Sequence, residues 1–245
     1  MLKHKDFSII IQARYNSTRY KAKILEKINN KEILLIMVER LKKYKKNIII
    51  NISNKNPSKI IKFCRDNDLN YFVGSDSNVL KRYYDCAAYF KSKNVVRIPS
   101  DCPVIDVKIL EKGLNLFFKG KYTYVTNLCP PSYIDGNDVE IMSFNTLKKL
   151  HQNAKNKFDK EHVTTDLRRN INKYKFKNFS AKKNYSLEFR NTLDYKEDLI
   201  VIKEIILKLG FNASYNEILQ FLINNKKISN INKKHIGTMW YQGKY

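Results

Sequence analysis

The chain has no apolar stretch long enough to cross a bilayer. Its apolar runs, such as residues 7–11 and 48–50, are far shorter than the roughly 20 residues that a transmembrane helix needs. The first residues also contain no apolar core of the kind that secretory signals carry, because positions 3, 5 and 6 are charged. We therefore expect no membrane partner and a cytoplasmic location.

Acidic residues and arginines are scarce. Asp and Glu number 23 against 47 basic residues, which gives a formal net charge of +24, and 38 of the basic residues are lysine while 9 are arginine. Such a charge is typical of proteins that bind nucleic acid. However, the lysines are dispersed, and an excess of Lys, Asn and Ile is what an AT-rich genome encodes without selection for binding. We therefore predict no nucleic-acid partner, and a polyanionic small molecule such as a nucleotide suits the charge equally well.

Cysteine is rare too. The four cysteines form no C-x-x-C pair and have no histidine neighbour at the spacing of zinc ligands. Cys86 and Cys102 lie in apolar surroundings and are predicted to be small core residues. A disulfide framework is not expected in a cytoplasmic protein, and nothing in the pattern supports a catalytic cysteine.

The chain also lacks internal repeats and any linker that would separate two independent domains. With 43% hydrophobic and 12% aromatic residues, it can bury a sizeable core, which excludes disorder as its overall state. Strand-length apolar runs alternate with amphipathic segments in the first half, which predicts a doubly wound, mainly parallel α/β sheet. The predicted strands are residues 7–12, 48–52, 71–73, 95–98 and 122–126. The predicted helices are residues 33–41, 57–63, 79–90 and 107–118.

After Asn127 the alternation becomes irregular. Ser214 and Glu217 form a capping box for a last helix at residues 215–223, and Gly210 ends the helix before it. We predict one domain over residues 1–225 and a polar C-terminal tail at residues 226–245, which is polar until Trp240 and Tyr241. The other predicted elements are strands at residues 139–143, 174–179 and 185–189 and helices at residues 146–154 and 199–209.

The loop after the first predicted strand is unusually basic. Arg14, Arg19 and Lys23 lie there together with the hydroxyls of Ser17 and Thr18. Ligands of open α/β sheets bind beyond the carboxyl ends of the strands, and a triphosphate needs several donors and positive charges at once. Two arginines five residues apart are unexpected in a chain that prefers lysine. The alternative is an exposed basic loop without a ligand.

Two carboxylates follow the fourth predicted strand. Asp101 lies between Pro99 and Pro103, just past the end of that strand. There it is placed either to bind a hard cation or to form a turn. Asp106 precedes a predicted helix, and we interpret it as the N-cap.

Three further carboxylates lie in the second half of the chain. Asp138 and Glu140 alternate along a predicted strand and so point to one face, where they could bind a metal, accept substrate hydroxyls or face solvent. Asp194 precedes the long helix. An N-cap at Asp194, with Glu197 at the third position, explains Asp194 without any function.

Taken in order, these stretches resemble the cytidylyltransferase family of spore-coat polysaccharide protein F, and more distantly the CMP-Kdo and CMP-sialate synthetases. The matching motifs are IIQAR-x-x-STR with K-x-L, R-I-x-x-DCP-x-ID, G-x-DVE, EHVT and TLD-x-x-EDL. Their order along the chain is much more specific than any single motif. They occupy residues 10–19 with Lys23, 97–106, 136–140, 161–164 and 192–199.

The resemblance implies the nucleotide-diphospho-sugar transferase fold, with a small inserted lobe for acceptor binding and dimerisation within residues 128–190. It implies transfer of CMP from CTP to a sugar acid or a phosphorylated small-molecule acceptor, with release of pyrophosphate, for biosynthesis of a surface glycan or related conjugate. The implied cofactor is Mg²⁺. A homodimer is expected as well, because the apolar segment 130–134 is awkward to leave exposed.

The resemblance also assigns roles to individual residues. Arg14, Lys23 and Asp101 would be catalytic, with Asp101 and Asp194 as the metal ligands. A lone histidine such as His162 is more often structural. The implied nucleotide-binding residues are Ala13, Arg14, Ser17, Arg19, Lys23, Ser75 and Asp101. The implied acceptor-binding residues are Asp138, Glu140, Glu161 and His162.

The chain departs from the family pattern at glycine positions. Asn16, Ala22 and Ser100 stand where glycine is usual, and Lys21 stands where proline is usual. Asn tolerates a left-handed backbone, whereas Ala does so poorly.

Two alternatives remain open. One is another transferase on the same fold, either a glycosyltransferase or a nucleotidyltransferase that prefers another base. A glycosyltransferase is expected to carry a D-x-D pair at its metal, and here Cys102 and Pro103 follow Asp101. The other alternative is a non-catalytic basic binding module, which only the charge supports.

Overall fold

A computed structural model describes residues 6–238 of the chain. The first five residues and residues 239–245, with Trp240 and Tyr241 of the predicted tail, lie outside the described residues. Within residues 6–238 the chain forms a seven-stranded sheet flanked by helices, with a separate two-stranded hairpin. The predicted α/β class with a mainly parallel sheet is confirmed.

The sheet is parallel around its first strand and antiparallel at one strand beyond it. The strands are β1 (Ser8–Ala13), β2 (Lys27–Ile28), β3 (Lys31–Glu32), β4 (Ile48–Ser53), β5 (Asn70–Gly74), β6 (Asn94–Pro99), β7 (Tyr124–Thr126), β8 (Glu140–Ser143) and β9 (Phe176–Asn178). The large sheet has the order β5-β4-β1-β6-β8-β7-β9, and β2 and β3 form the hairpin. Strand β1 runs parallel to β4 and β6, whereas β8 runs antiparallel to β6 and β7.

Helices cover both faces of the sheet. They are α1 (Ile33–Arg40), α2 (Ser58–Asp66), α3 (Val79–Tyr89), α4 (Val107–Lys119), α5 (Phe144–Asn153), α6 (Lys157–His162), α7 (Thr165–Arg169), α8 (Lys196–Leu209), α9 (Tyr215–Asn224) and α10 (Lys226–Ser229). Neighbouring residues of β1 face opposite layers: Ile9 and Ile11 pack with α1, α2 and α4, whereas Ile10 packs with α3 and α5. This alternation builds two cores from one strand whose apolar residues are buried on both faces of the sheet. A third apolar cluster joins α8 and α9 to α1.

The order of the strands predicts a ligand crevice beside β1. Strand β4 is the next strand of the large sheet after β1 in the chain and lies on one side of β1, whereas β6 lies on the other side. Crevices for ligands open at such reversals, beyond the carboxyl ends of the strands. Because Gln12 of β1 is in register with Pro99 of β6, the basic loop after β1 and the Asp101 loop after β6 start side by side.

The predicted helix caps hold. Asp106 accepts a hydrogen bond from the backbone N–H of Lys108 (2.7 Å) at the start of α4, and its second oxygen accepts one from the backbone N–H of Tyr215 (2.6 Å). Ser214 and Glu217 form the predicted capping box of α9. Asp106 therefore caps one helix and fastens the start of another.

The strand predicted at residues 185–189 is wrong. The backbone N–H of Tyr185 donates to the carbonyl of Ser132, and that of Glu188 donates to the carbonyl of Tyr185, which makes a turn. Phe189 is buried in the third cluster while Leu187 is 63% exposed. The alternation of apolar residues there places the Phe189 side chain in the core, although residues 185–189 form no strand.

The apolar segment at residues 130–134 is only partly exposed: Pro130 is exposed and Pro131 is half-buried. Tyr133 and Ile134 are buried within the chain, and the ring of Tyr133 packs edge-on against Phe179 and Tyr215. The exposure that motivated the expected dimer is therefore limited to the two prolines. The homodimer itself stays a prediction.

The remaining sequence-based expectations concern cysteines and membrane spans. Cys86 and Cys102 are fully buried, as predicted for core residues. Burial raises the pKa of the Cys86 thiol to about 12 and that of Cys102 well above its ordinary value, which disfavours thiolate chemistry. From residue 6 to residue 238, the chain forms no helix with the length and apolar character that a membrane crossing requires.

The basic loop contains a strained position. Ala22 has φ 59°, in the left-handed region, and its N–H donates to the carbonyl of Tyr15 (2.8 Å). Asn16, by contrast, does not adopt a positive φ. Of the two loop positions where glycine is usual in the family, only Ala22 therefore has a strained backbone.

Replacing Ala22 by glycine should stabilise the protein. Glycine removes the left-handed penalty of about 1 kcal/mol, and the greater freedom of the unfolded chain offsets part of that gain. Chemical denaturation of Ala22→Gly should show a small increase in the free energy of unfolding. Ala88→Gly, at an exposed position in the last turn of α3, is the control with ordinary helical backbone and should destabilise by up to roughly 0.5–1 kcal/mol. A loss of stability in both variants would contradict the strain at Ala22.

Candidate active site

The basic loop after β1 presents its positive charges at different depths. Arg14 is exposed, and Arg19 exposes 47% of its side chain. Lys23 and Ser17 are buried, each with 6% of the residue exposed. Lys23 begins a short 3₁₀ turn directly after Ala22, so the left-handed Ala22 turns the chain at the point where the Lys23 side chain enters the crevice.

Lys23 joins two carboxylates that are far apart in the sequence. Its Nζ donates to Asp194 Oδ1 (2.8 Å) and to the carbonyl of Leu193 (2.5 Å), and it lies 3.6 Å from Asp101 Oδ2. The backbone N–H of Leu193 donates to the carbonyl of Asp101 (2.8 Å), which fixes the two loops to each other. Asp101 and Asp194 thus converge on one positive charge, and their predicted role as metal ligands stays a prediction.

Asp194 is held in its ionised form. Burial by itself would raise its pKa, but Lys23 and Arg19 hold the pKa of this carboxyl far below its ordinary value. Arg19 Nη2 lies 2.6 Å from Asp194 Oδ1, the oxygen that Lys23 also contacts. The second oxygen, Oδ2, accepts from Arg190 Nη2 (2.9 Å). The carboxylate is therefore fixed on both sides.

Arg190 is the residue behind the site that the sequence analysis missed. It is 1% exposed, and its guanidinium contacts Asp135 (2.7 Å), Asp194 (2.9 Å) and Asp198 (3.1 Å). Thr192 donates to the other oxygen of Asp135 (2.6 Å). An arginine in this lysine-rich chain was the signal that could have found it, because only a planar fork of donors can serve several carboxylates at once.

Gly136 lets this cluster form. Its φ is +106°, and a Cβ at this position would lie 2.7 Å from the backbone carbon of Asn191. The loop of Asp135 can therefore approach the strand-like segment at Arg190 closely, and the two residues form a bridge. The glycine of the G-x-DVE motif is explained by this close approach.

The interpretation of Asp194 as a helix cap is wrong. Helix α8 begins at Lys196, and its N-cap is Tyr195. Asp198 supplies the capping carboxylate, since its Oδ2 accepts from the backbone N–H groups of Asp194 (2.8 Å) and Tyr195 (2.9 Å). The side chain of Asp194 is thereby left for the crevice, where it meets Lys23.

Asp101 and Asp194 suit a magnesium ion in their chemistry. Both are carboxylates, the hard oxygen donors that Mg²⁺ prefers, and both already face the ammonium of Lys23. Between residues 6 and 238, no group of three or more His, Cys, Asp or Glu side chains is arranged to hold a metal ion. A magnesium ion here would therefore take its other ligands from water and from substrate phosphates, which is its usual habit.

Asp138 and Glu140 are both buried, so the solvent-facing alternative is wrong. Glu140 accepts from Arg97 (2.5 Å) and from the hydroxyl of Tyr124 (2.5 Å). Burial would raise the pKa of Glu140, but Arg97 and Arg168 bring it below its ordinary value. For Asp138, burial raises the pKa well above its ordinary value, with Asp135 and Asp101 adding to the effect. Their roles toward an acceptor stay predictions.

Glu161 and His162 lie at the end of α6, over the layer of α3. Glu161 is exposed, whereas His162 is half-buried and contacts Phe158, with 4.3 Å between the ring centroids and 58° between the ring planes. Burial lowers the pKa of His162, and the charges of Arg97 and Arg14 lower it further against the opposing effect of Glu161. His162 therefore shares its surroundings with the basic loop, which suits the predicted acceptor role without testing it.

The other predicted nucleotide-binding residues line the same edge of the sheet. Ala13 is the last residue of β1, and Ser75 directly follows β5. The buried Arg82 of α3 donates to the carbonyl of Ser75 (2.5 Å), and Ser75 Oγ accepts from the backbone N–H of Asn78 (3.1 Å). The Ser75 loop is therefore held against α3, next to the crevice.

Two known proteins are similar to this chain in sequence over most of its length. An uncharacterised protein of Methanocaldococcus jannaschii is 32% identical over 228 residues, which are 91% of this chain and 93% of that protein. The spore coat polysaccharide biosynthesis protein SpsF of Bacillus subtilis is 29% identical over 233 residues, which are 90% of this chain and 95% of SpsF.

Two solved structures are similar to this chain in fold. A cytidylyltransferase from Leptospira borgpetersenii superposes with a TM-score of 0.88 at 30% identity, over 92% of this chain and 97% of that one. A CMP-2-keto-3-deoxy-manno-octonic acid synthetase in complex with CTP superposes with a TM-score of 0.64 at 11% identity, over 83% of this chain and 99% of that one, and so shares the fold. The cytidylyltransferase family model matches residues 8–228. With the matched motifs gathered around one crevice, the chain belongs to the cytidylyltransferase family.

Proposed function

We propose that this protein transfers CMP from CTP to a small-molecule acceptor and releases pyrophosphate. The observation that carries the proposal is the meeting of Lys23, Asp101 and Asp194 beneath the basic loop, in a chain of the cytidylyltransferase family. Family membership supports a nucleotidyltransferase, and the crevice supplies the charges that its chemistry needs.

The reaction determines which charges are useful. An oxygen of the acceptor attacks the α-phosphorus of CTP, and the bond from that phosphorus to the bridging oxygen of the β-phosphate breaks. A hydroxyl acceptor gives up its proton to water, whereas a phosphate acceptor attacks as an anion. Negative charge builds on the α-phosphoryl oxygens and on the departing pyrophosphate. Fixed cations that neutralise this charge lower the barrier.

Arg14, Arg19 and Lys23 supply those cations in this proposal. Arg14 and Arg19 are exposed enough to meet a triphosphate arriving from solvent, whereas Lys23 is buried at the floor of the crevice. The contact between Arg19 and Asp194 would be exchanged for phosphate oxygens when CTP binds. Lys23 would then neutralise charge near the reacting phosphorus.

Asp101 and Asp194 would hold the magnesium ion. When bound, the ion would supply further positive charge to the phosphate oxygens and help to orient them. Arg190, fixed by Asp135 and Asp198, keeps Asp194 at one position and one angle.

The acceptor is a sugar acid or a phosphorylated small molecule in this proposal, and the product serves surface glycan or related conjugate biosynthesis. The likeness to SpsF, whose name denotes spore coat polysaccharide biosynthesis, supports the second part. The exposed Arg14, whose charge reaches His162, supports the first part, because it favours an anionic group there.

Turnover should require a cytosine base. With Mg²⁺ and a panel of acid sugars and phosphate esters, pyrophosphate release should be seen with CTP and be at least about tenfold slower with UTP, ATP or GTP, because a site that reads hydrogen bonds rejects a mismatched base. A coupled pyrophosphate assay measures this. Turnover with UTP or ATP alone would overturn the cytidine assignment. Transfer of sugar from a ready-made nucleotide sugar, without pyrophosphate, would favour the glycosyltransferase alternative.

Lys23 should be essential although it is buried. Lys23→Met keeps the apolar stem but removes the charge, and we expect kcat/KM to fall by about two to three orders of magnitude, as for other fixed transition-state donors. Lys21→Met is the matched control two residues away, since Lys21 is exposed in the same loop. Equal values of kcat/KM for Lys23→Met and Lys21→Met would contradict a catalytic role for Lys23. The basic loop would then be a solvent-exposed segment without a ligand.

Asp101→Asn gives the sharpest test of the carboxylate pair. Asp101 exposes 27% of its side chain and its ion pair is long, at 3.6 Å, so the stability of the free protein should change by less than about 1 kcal/mol. Activity should nevertheless fall by about two orders of magnitude and require more Mg²⁺, because one carboxylate no longer carries charge. A magnesium titration of pyrophosphate release, beside thermal unfolding, measures both effects.

Asp106→Asn is the control for that experiment, since Asp106 caps α4 and lies outside the cation site. It should lose some stability and keep its activity. Asp194→Asn is less clean, because Lys23, Arg19 and Arg190 would all lose a partner. Wild-type magnesium dependence in Asp101→Asn would remove Asp101 from the proposed metal site.

A further inference from the structure

The segment that follows α9 packs against the loop that carries Asp194. We call residues 226–235 the C-terminal segment and residues 190–198 the Asp194 loop. The cytidylyltransferase model ends at residue 228, so Asn232 and His235 of the C-terminal segment lie beyond the part of the chain that the family defines. Their contacts nevertheless lead directly to the site.

Asn232 supports Asp198 from behind. It is 1% exposed, and its Nδ2 donates to Asp198 Oδ1 (2.8 Å) and to the carbonyl of Arg190 (3.1 Å). The other oxygen of Asp198 accepts the backbone N–H groups of Asp194 and Tyr195. One amide group of the C-terminal segment therefore fixes the carboxylate that holds the backbone of Asp194.

His235 supports Tyr195. The two rings are stacked, with 3.7 Å between their centroids and 6° between their planes. The guanidinium carbon of Arg19 lies 5.5 Å from the centre of the Tyr195 ring, and Arg19 also contacts Asp194. His235 thus holds the ring beside which an arginine of the basic loop is placed.

A surface ion pair also joins the C-terminal segment to the Asp194 loop, but it does not determine the position of the loop. Lys234 Nζ lies 2.7 Å from Glu197, but both side chains are partly exposed, at 64% and 33%. Exposed pairs of this kind contribute little to stability. The buried amide of Asn232 and the stacked ring of His235 are the contacts that define the position of the Asp194 loop.

We propose that Asn232 and His235 are positioning residues for nucleotide binding: they hold Asp194 and Tyr195, and through them Arg19, in the arrangement that receives the triphosphate. The inference rests on the proposed function. Both residues act through others, since Asn232 reaches the site by way of Asp198 and His235 by way of Tyr195. The C-terminal segment then belongs to the binding site as well as to the fold.

Titration calorimetry with Mg²⁺–CTP, and separately with inorganic tripolyphosphate, tests this without requiring turnover. His235→Ala removes the stacked ring and should raise Kd for both probes about fivefold, the size expected of one aromatic contact. His235→Phe keeps a flat ring and should bind within about twofold of the unsubstituted protein. Lys233→Ala removes an exposed charge from the same turn and is the matched control.

Asn232→Leu fills a similar volume but donates no hydrogen bond to Asp198, and it should weaken CTP binding about tenfold. If Asn232→Leu does not fold, the comparison of His235→Ala with His235→Phe still tests the inference. Equal binding by His235→Ala and the unsubstituted protein would overturn the inference and leave the proposed function intact. Equal weakening by His235→Ala and His235→Phe would also overturn it, because stacking would not be the cause. If the unsubstituted protein bound neither probe, the inference and the proposed function would both fall.

Discussion

The buried guanidinium of Arg190 is the interaction on which the candidate site depends. It contacts carboxylates of the Asp135 loop, of Asp194 and of α8 at Asp198. Buried charges of this kind are costly to desolvate and add little net stability, but leaving one of them unpaired is strongly unfavourable. The cluster therefore acts as a geometric constraint, because the three segments can fold only in the arrangement that pairs all of these charges.

The same constraint accounts for the chemistry of the crevice. Because one oxygen of Asp194 is fixed by Arg190, the other faces Lys23 and Arg19 from the basic loop. The fold thus brings the cations of the basic loop next to the carboxylates of Asp101 and Asp194. Buried charges that lie this close together are tolerated only when each one is paired with a charge of opposite sign. The free protein satisfies this condition by ion pairs that a substrate with the charge of a nucleoside triphosphate would exchange.

Sequence reasoning succeeded where a local pattern carries the structure. The strand at residues 48–52 was predicted from its apolar run, and the cap at Asp106 from its position before an amphipathic helix, since both depend on neighbours in the chain. It failed at residues 185–189, where the same period of two served a turn, and at Asp194, where Asp198 did the capping. At residues 185–189 the contact with the distant Ser132 decided the outcome. At Asp194 the competing cap is only four residues away, and the distant contact is the ion pair of Asp194 with Lys23, which no local pattern records.

The sequence by itself determined the α/β class, the basic loop after β1 and, through the order of its motifs, the resemblance to cytidylyltransferases. Only the tertiary structure decided that Lys23 joins Asp101 to Asp194, that Glu140 is buried in an ion pair with Arg97, and that Asn232 reaches the Asp194 loop. The physical reason is the separation along the chain over which each interaction acts. Helix periodicity and capping act over a few residues, whereas desolvated charges are paired across the whole fold, and the identity of each partner follows from which segments the sheet brings together.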